Sequence, residues 1–217
     1  MDAVKFHFDP ICPWCYQTSR WAKRLEDLGE IELDWGLFSL EVVNLKEGED
    51  PHQLKARSGP ALRTAILIRE REGGTAIGPF YTAIGKRIWE QEHPEQDMAT
   101  AVRGALVELG FDEKWCDEAL GEPATWEGVL AEHTALVERT RSFGVPTIVL
   151  DGGSGPAIFG PVVSELPTDE DAVELWRHVS WLARYDNFSE LKRDRIKPPD
   201  LPAMAWLRAQ REAKRAG

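Results

Sequence analysis

The first 40 residues show in turn the two hydrophobic spacings that distinguish strands from helices. Apolar and polar side chains alternate in VKFHFD at 4–9, and Pro10 ends this run, because proline has no N–H to donate to a sheet. From Pro13 to Gly29 the apolar residues recur at helical spacing, and IELDWGL at 31–37 alternates again. This strand–helix–strand order predicts two parallel strands joined by a right-handed crossover.

Helical spacing then dominates between about residues 45 and 140. Glycines follow several of the apolar periods, and Asp97 stands where the N-cap of a helix is expected. We predict five helices, at 62–72, 79–90, 98–109, 112–120 and from Thr125 to the residues before Gly144.

Short apolar runs return after this helical segment. VPTIVLDG at 145–152 and PAIFG at 156–160 flank the sequence GGSG, which is typical of the turn in a β-hairpin. Thr168 and Asp171 have the spacing of a helix start and open a last amphipathic helix. Three prolines beyond residue 197 predict that part of the C-terminal tail is extended.

The order of elements is therefore β-α-β, a block of helices, and β-β-α. The outer pieces make an α/β unit of the thioredoxin-like type, and the helical block is an insertion in it. We expect residues 1–44 and 141–190 to form the thioredoxin-like domain. Residues 45–140 then form an inserted α-helical domain, and residues 191–217 form a C-terminal tail.

Composition narrows the classes of function. The chain is 42% hydrophobic and 29% charged, as in ordinary folded proteins, and its formal net charge is −11. An acidic chain lacks the basic face that nucleic acids require, and no apolar run is long enough to span a membrane. The opening MDAVKFHFDP lacks the features of a signal peptide, so we expect a cytoplasmic protein with neither nucleic acid nor membrane as a partner.

The sequence CPWC at the start of the first helix carries the candidate chemistry. Backbone N–H groups and the positive end of the helix dipole favour a thiolate on Cys12. We therefore expect Cys12 to be the nucleophile, with a pKa below the usual thiol value. Cys15 lies one turn further in, where we expect a more buried thiol that attacks the mixed disulfide and releases the product.

Two other interpretations of this pair remain open. A structural zinc site needs about four ligands, and the only further cysteine is Cys116, which we interpret as a packing residue of the insertion. The pair could also be two small apolar side chains in a helix. The strand–CPWC–helix context favours a redox centre over both, and we predict no metal site.

Several motifs together resemble a known family. FDPICPWC with TSRW, followed far downstream by GVPT, FGP and ELKRDRIKPP, is similar to the DsbA-like thiol oxidoreductases of the thioredoxin superfamily. Among these, the chain most resembles the actinobacterial mycothiol-dependent reductases, a group that includes a nitroreductase. The resemblance covers roughly residues 3–200, more loosely in the helical middle.

The resemblance implies a DsbA-like fold and a specific second half of the site. Pro146 would follow a cis peptide bond and face the cysteines, with Val145 and Thr147 as its supporting neighbours. It also implies mycothiol or a similar low-molecular-weight thiol as co-substrate, with no tightly bound cofactor. Asn44 ends a stretch that resembles a family segment near the active site, and it is a candidate for substrate binding; an asparagine in a turn is the alternative.

The residues between and beside the cysteines suggest the direction of the reaction. Pro13 suits the first helical turn. Trp14 stands where oxidising relatives carry histidine, and it brings no positive charge, so we expect a reductase rather than an oxidant. Its indole also offers a flat apolar surface for an aromatic substrate. His7 could shuttle protons, but we expect it to be exposed or locally bonded.

These observations predict a cytosolic thiol-disulfide oxidoreductase that uses the CPWC dithiol. Its substrates would be small-molecule or protein disulfides, or small electrophiles such as nitroaromatics. One alternative is a non-catalytic redox sensor or holdase. Another is an enzyme of the kappa-type glutathione transferase or 2-hydroxychromene-2-carboxylate isomerase kind, which normally carries serine at the nucleophile position.

Overall fold

A computed structural model describes residues 1–216, and it contains a four-stranded sheet with β1 as an inner strand. β1 pairs parallel with β2, where Phe6 lies opposite Trp35. On its other side it pairs antiparallel with β3, which forms an antiparallel hairpin with β4. Both the parallel pair and the hairpin predicted from the sequence are confirmed. The strands are β1 Asp2–Phe8, β2 Ile31–Leu37, β3 Thr147–Leu150 and β4 Ala157–Phe159, in the order β2-β1-β3-β4.

Helices make up most of the remaining chain. The predicted caps are present: the Asp97 side chain accepts a hydrogen bond from the N–H of Thr100, and Thr168 accepts one from the N–H of Asp171. The helices are α1 Pro13–Asp27, α2 Leu40–Val43, α3 Gly59–Glu72, α4 Ile77–Ile88, α5 Met98–Glu108, α6 Trp115–Gly121, α7 Pro123–Thr140, α8 Asp169–Arg184 and α9 Ala203–Ala216.

Helices cover both faces of the sheet. On one face α1 and α8 pack together, and the Trp21 indole donates a hydrogen bond of 3.2 Å to the Ala172 carbonyl. Successive side chains of β1 point to opposite faces of the sheet. Lys5 lies on the face away from α1 and α8, where its ammonium is 3.8 Å from the Glu132 carboxylate of α7. This second layer buries strand positions that would otherwise face solvent.

Helices α3–α7 lie between β2 and β3 in the chain, and their apolar side chains join those of the sheet in one core. The same buried cluster contains Phe6 of β1, Trp21 of α1 and Leu106 of α5. The structure therefore has the α/β architecture that the sequence predicts. The division into a thioredoxin-like domain and an inserted domain stays a prediction.

The C-terminal tail has more structure than we expected. It is irregular up to Pro202, as the prolines predict, but α9 then begins, a helix that the sequence analysis missed. Two backbone hydrogen bonds tie the tail to the rest of the protein: the Asp200 N–H donates to the Ser164 carbonyl (2.7 Å), and the Ala203 N–H donates to the Trp89 carbonyl (3.1 Å). We call residues 186–202 the C-terminal strap.

No helix within residues 1–216 combines the length and the apolar character that are needed to cross a bilayer.

Candidate active site

Cys12 and Cys15 lie where the chain leaves β1 and enters α1. Cys12 is the N-cap residue, with extended backbone angles (φ −96°, ψ 108°), and Pro13 is the first helical residue. The Cys12 Sγ accepts a hydrogen bond of 3.4 Å from the Cys15 N–H, one of the first-turn donors that have no partner inside a helix. Cys12 is partly exposed and Cys15 is fully buried, so a substrate can reach only the first sulfur.

The second wall of the site comes from the segment that leads into β3. The Val145–Pro146 peptide bond is cis, and the Cys12 thiol points at the Val145 carbonyl with a separation of 3.8 Å. Thr147 pairs with His7 across β3 and β1, which places this segment beside the end of β1. The structure thus brings Val145, Pro146 and Thr147 to the CPWC sequence.

The predicted lowering of the Cys12 pKa is wrong. Burial raises the pKa of the Cys12 thiol above its ordinary value, and the negative charge of Asp9 acts in the same direction. Hydrogen bonds from the N–H groups of Cys15 and Trp14, together with the Arg195 charge, lower it but do not outweigh burial. The helix start acts in the expected direction, but no sequence pattern reports how deeply the sulfur is buried.

Cys15 is held behind Cys12 as a buried thiol. Its Sγ lies 3.8 Å from the His7 carbonyl, to which it donates. Burial raises its pKa well above the ordinary value, a charge on Cys12 raises it further, and the nearby Tyr81 hydroxyl acts in the opposite direction. Cys15 is therefore protonated at neutral pH.

Asp9 is a buried carboxyl beside the cysteines that the sequence analysis did not single out. Its side chain accepts hydrogen bonds from the N–H of Ile11 (3.1 Å), the N–H of Leu40 (2.7 Å) and the hydroxyl of Ser58 (3.4 Å). Burial raises its pKa to about 7 despite these donors. Asp9 thereby ties the loop before Cys12 to α2 and to the start of α3.

Of the two settings that we expected for His7, exposed or locally bonded, the exposed one is wrong, since the side chain is only 4% exposed. Its ring packs directly on β2, where a Cβ at Gly36 would lie 2.3 Å from it. Burial is the largest cause that lowers its pKa to about 3, and the charges of Lys5 and Arg139 add to this effect. His7 is therefore neutral in the folded protein, and its backbone carbonyl, rather than its ring, faces Cys15.

Trp14 is partly exposed, and its ring is covered by a residue from the C-terminal strap. The Arg195 guanidinium carbon lies 5.0 Å from the centroid of the indole, within the range of a cation–π contact. A further aromatic pair borders the Val145 segment, with the rings of Phe143 and Phe159 4.6 Å apart. Phe143 is 67% exposed, an unusual position for so large an apolar side chain.

The remaining candidates lie in ordinary structural settings. The Asn44 amide donates to the Leu40 carbonyl (2.6 Å) and caps α2, so its role in substrate binding stays a prediction. Cys116 is buried in α6 as expected, with its thiol 3.9 Å from the Ala99 carbonyl. Within residues 1–216, no group of three or more His, Cys, Asp and Glu side chains is placed to hold a metal ion.

Comparison with known proteins gives a family match over most of the chain. The family model described as Rv2466c-like, "Mycothiol-dependent nitroreductase Rv2466c", matches residues 11–193. The uncharacterized protein Rv2286c of Mycobacterium tuberculosis is 34% identical over 206 residues, which cover 94% of this chain and 87% of that protein.

Solved structures with the same fold are more distant in sequence. The probable DsbA oxidoreductase SCO1869 from Streptomyces coelicolor is 18% identical with a TM-score of 0.57, over 90% of this chain and 95% of that one. The cytosolic disulfide reductase DsbM from Pseudomonas aeruginosa with GSH is 14% identical with a TM-score of 0.54, over 82% and 99%. A 2-hydroxychromene-2-carboxylate isomerase is 19% identical with a TM-score of 0.56, over 84% and 96%. These likenesses confirm the DsbA-like, thioredoxin-type fold.

Proposed function

Because this chain belongs to the Rv2466c-like family of mycothiol-dependent nitroreductases, we propose that it is a reductase whose electrons pass through the Cys12–Cys15 dithiol. The observation that carries this proposal is the arrangement of the two sulfurs. Cys12 is partly exposed at the start of α1, with its sulfur 3.8 Å from the Val145 carbonyl, and Cys15 is fully buried one turn behind it.

The proposed reaction is a pair of thiol-disulfide exchanges. The Cys12 thiolate attacks a substrate disulfide, forms a mixed disulfide and releases one substrate thiol. Cys15 then loses its proton and attacks the Cys12 sulfur, which releases the second substrate thiol and leaves a Cys12–Cys15 disulfide. Two molecules of a low-molecular-weight thiol reduce that disulfide in two further exchanges and leave as their own disulfide.

Mycothiol is the reducing thiol that the family name supports. Nitroaromatic compounds are a second substrate class, because reduction of a nitro group to a nitroso group takes two electrons and two protons from the dithiol and releases one water. The Trp14 indole and the exposed Phe143 ring offer aromatic surfaces against which such a compound could stack. We also propose a cytoplasmic location, where small thiols keep cysteine pairs reduced.

The test is to trap the intermediate. In a Cys15→Ser variant incubated with oxidised mycothiol, we expect a mixed disulfide on Cys12 that mass spectrometry can identify. Cys12→Ser should abolish turnover with a thiol donor, whereas Cys116→Ala, which changes the third cysteine, should retain it.

Other outcomes favour the alternative functions. Full turnover by Cys15→Ser would contradict a resolving role and favour a transferase or isomerase, which needs no second thiol. A single stoichiometric oxidation of Cys12 and Cys15, without multiple turnover, would favour a redox sensor.

A further inference from the structure

Tyr81 on α4 carries a polar atom that the fold itself does not use. The side chain is 1% exposed, and its hydroxyl has no hydrogen-bond partner among the described residues. A buried hydroxyl without a partner is costly, by about 1–3 kcal/mol, and such groups are rare in folded proteins. A phenylalanine would fill the same space without this cost, so the hydroxyl needs an explanation.

The face of α4 that carries Tyr81 packs unusually close to the site. Gly78, Tyr81 and Gly85 have the spacing i, i+3, i+7 and share one face of the helix. A Cβ at Gly78 would lie 2.5 Å from the Trp35 indole nitrogen, and a Cβ at Gly85 would lie 1.8 Å from the Tyr16 ring. The two glycines thus allow α4 to approach closely enough for Tyr81 to enter the core beside α1.

The neighbours of the Tyr81 ring are the neighbours of Cys15. The ring stacks on Phe8, with centroids 4.0 Å apart and planes at 19°, and it meets the edge of the Tyr16 ring at 5.8 Å. Tyr16 follows Cys15 in α1, and Phe8 follows His7, whose carbonyl lies 3.8 Å from the Cys15 sulfur. The Tyr81 side chain therefore lies beside the buried sulfur, and its hydroxyl lowers the pKa of Cys15, which favours the thiolate.

We propose that the Tyr81 hydroxyl is a catalytic hydrogen-bond donor that stabilises the Cys15 thiolate at the moment when Cys15 resolves the mixed disulfide. The proposal rests on the function proposed above and assigns a further residue to it. In the resting enzyme Cys15 is a thiol, a weak acceptor, which accounts for a hydroxyl without a good partner. When Cys15 ionises, the donor is already in place, as electrostatic stabilisation of a developing charge requires.

The step balances within the exchange already described. The Cys15 proton leaves to a base in solution, and the thiolate attacks Cys12 Sγ. The new Cys12–Cys15 bond replaces the Cys12–substrate bond, and the substrate sulfur leaves as a thiolate. Tyr81 donates a hydrogen bond and is not consumed. Burial raises its own pKa well above the ordinary value, so it keeps its proton.

A Tyr81→Phe variant tests this role in the full-length protein. With an aromatic disulfide whose released thiolate absorbs visible light, attack by Cys12 releases a first equivalent, and attack by Cys15 releases a second. We expect the first phase to be unchanged. The second phase should slow by about 10-fold or more, because the variant loses one hydrogen bond to a charged group. Its pH–rate profile should also shift to higher pH.

Tyr16→Phe is the matched control. Tyr16 is also buried and adjoins Cys15, but its hydroxyl donates to the Glu90 carboxylate at 2.8 Å, so the second phase should keep its wild-type rate and pH profile. Thermal unfolding should show that Tyr81→Phe is at least as stable as the wild type, because it removes a buried hydroxyl without a partner. The proposal is overturned if Tyr81→Phe leaves the rate and pH profile of the second phase unchanged. If the wild type itself gives no first phase, it is the proposed function that fails.

Discussion

At the scale of single residues, the indole of Trp14 lies against a guanidinium that comes from the other end of the chain. Trp14 itself brings no charge to Cys12, which led us to expect a reductase rather than an oxidant. Arg195 supplies a positive charge at the same place, 5.0 Å from the indole centroid, and it lowers the Cys12 pKa against the larger effect of burial. The C-terminal strap thus contributes to the electrostatics of the N-terminal cysteine.

An Arg195→Gln variant should therefore react more slowly at Cys12. Loss of the charge raises the Cys12 pKa, so alkylation of this thiol near pH 7 should slow by about two- to five-fold, the size of an exposed and salt-screened interaction. The difference should shrink in high salt. Arg193→Gln removes an equal charge two residues away and should leave the alkylation rate unchanged. Arg195→Lys keeps a positive charge and should retain part of the rate that Arg195→Gln loses. Equal rates for Arg195→Gln and Arg193→Gln would contradict this role.

The sequence predicted the parts of the site that lie in local motifs. The CPWC spacing at a helix start led to Cys12 and Cys15, and the resemblance added Pro146. Asp9, His7 and Tyr81 could not be assigned in this way, since their environments depend on elements from elsewhere in the chain. For example, Gly36 of β2 packs against the His7 ring, and the segments around Leu40 and Ser58 enclose Asp9.

At the scale of elements, helix α4 shows how a glycine allows two helices to pack closely. Alanine normally stabilises a helix by about 1 kcal/mol relative to glycine. At Gly85 the added Cβ would lie 1.8 Å from the Tyr16 ring, and the ring cannot yield without moving α1 at the site.

We expect Gly85→Ala to lower the free energy of unfolding by about 1–3 kcal/mol, the usual cost of overpacking a core. Chemical denaturation is the measurement. Gly121→Ala is the control, because that glycine also lies in a helix but has open space around its Cα. Should Gly85→Ala prove as stable as Gly121→Ala, the close approach of α4 to α1 is not a constraint on this fold.

Most elements were predictable because their apolar periods are long or their caps are clear. The predicted helices at 62–72 and 98–109 correspond to α3 and α5. Helix α9 was not predicted because the prolines just before it indicate extended structure. Proline is well tolerated just ahead of a helix, and the buried Ala203 shows that the start of α9 belongs to the core.

At the scale of the whole molecule, three buried titratable groups couple folding to pH. Burial lowers the pKa of His7 to about 3 and that of His133 to about 4. Below about pH 6.5 the unfolded protein therefore binds protons at these histidines that the folded protein does not. Asp9 acts in the opposite direction, because its pKa is raised to about 7 and the folded protein binds its proton first. Two histidines outweigh one carboxyl.

We therefore expect stability to fall on acidification between about pH 6.5 and 4.5, by about 1.4 kcal/mol per pH unit. His133 accepts a hydrogen bond from the Ser39 N–H, and an asparagine keeps an acceptor there. Because His133→Asn removes one titrating group, the free energy of unfolding should become nearly independent of pH in this range. His178→Asn, at an exposed histidine of α8, should preserve the slope. Denaturation curves at several pH values measure both, and a wild type that gains stability on acidification would contradict the assignment.

The family resemblance inferred from the motifs is confirmed over residues 11–193, and so is the DsbA-like fold. The domain boundaries are still predictions, and the physical reason lies in the core. Its apolar side chains run without a break from the sheet into α3–α7, so neither periodicity nor composition marks a boundary between separate cores.

The distance along the chain between Cys12 and its neighbour Val145, 133 residues, also has a consequence during synthesis. The cysteine pair leaves the ribosome long before the segment that shields it. At roughly 5–20 residues per second, the delay is about 7–27 s. Throughout this interval Val145 is absent from the site, and for about the first half of it α4 is absent as well. The nascent chain is therefore the form in which both thiols are most accessible to cellular oxidants, and its protection depends on the redox state of the compartment in which it is made.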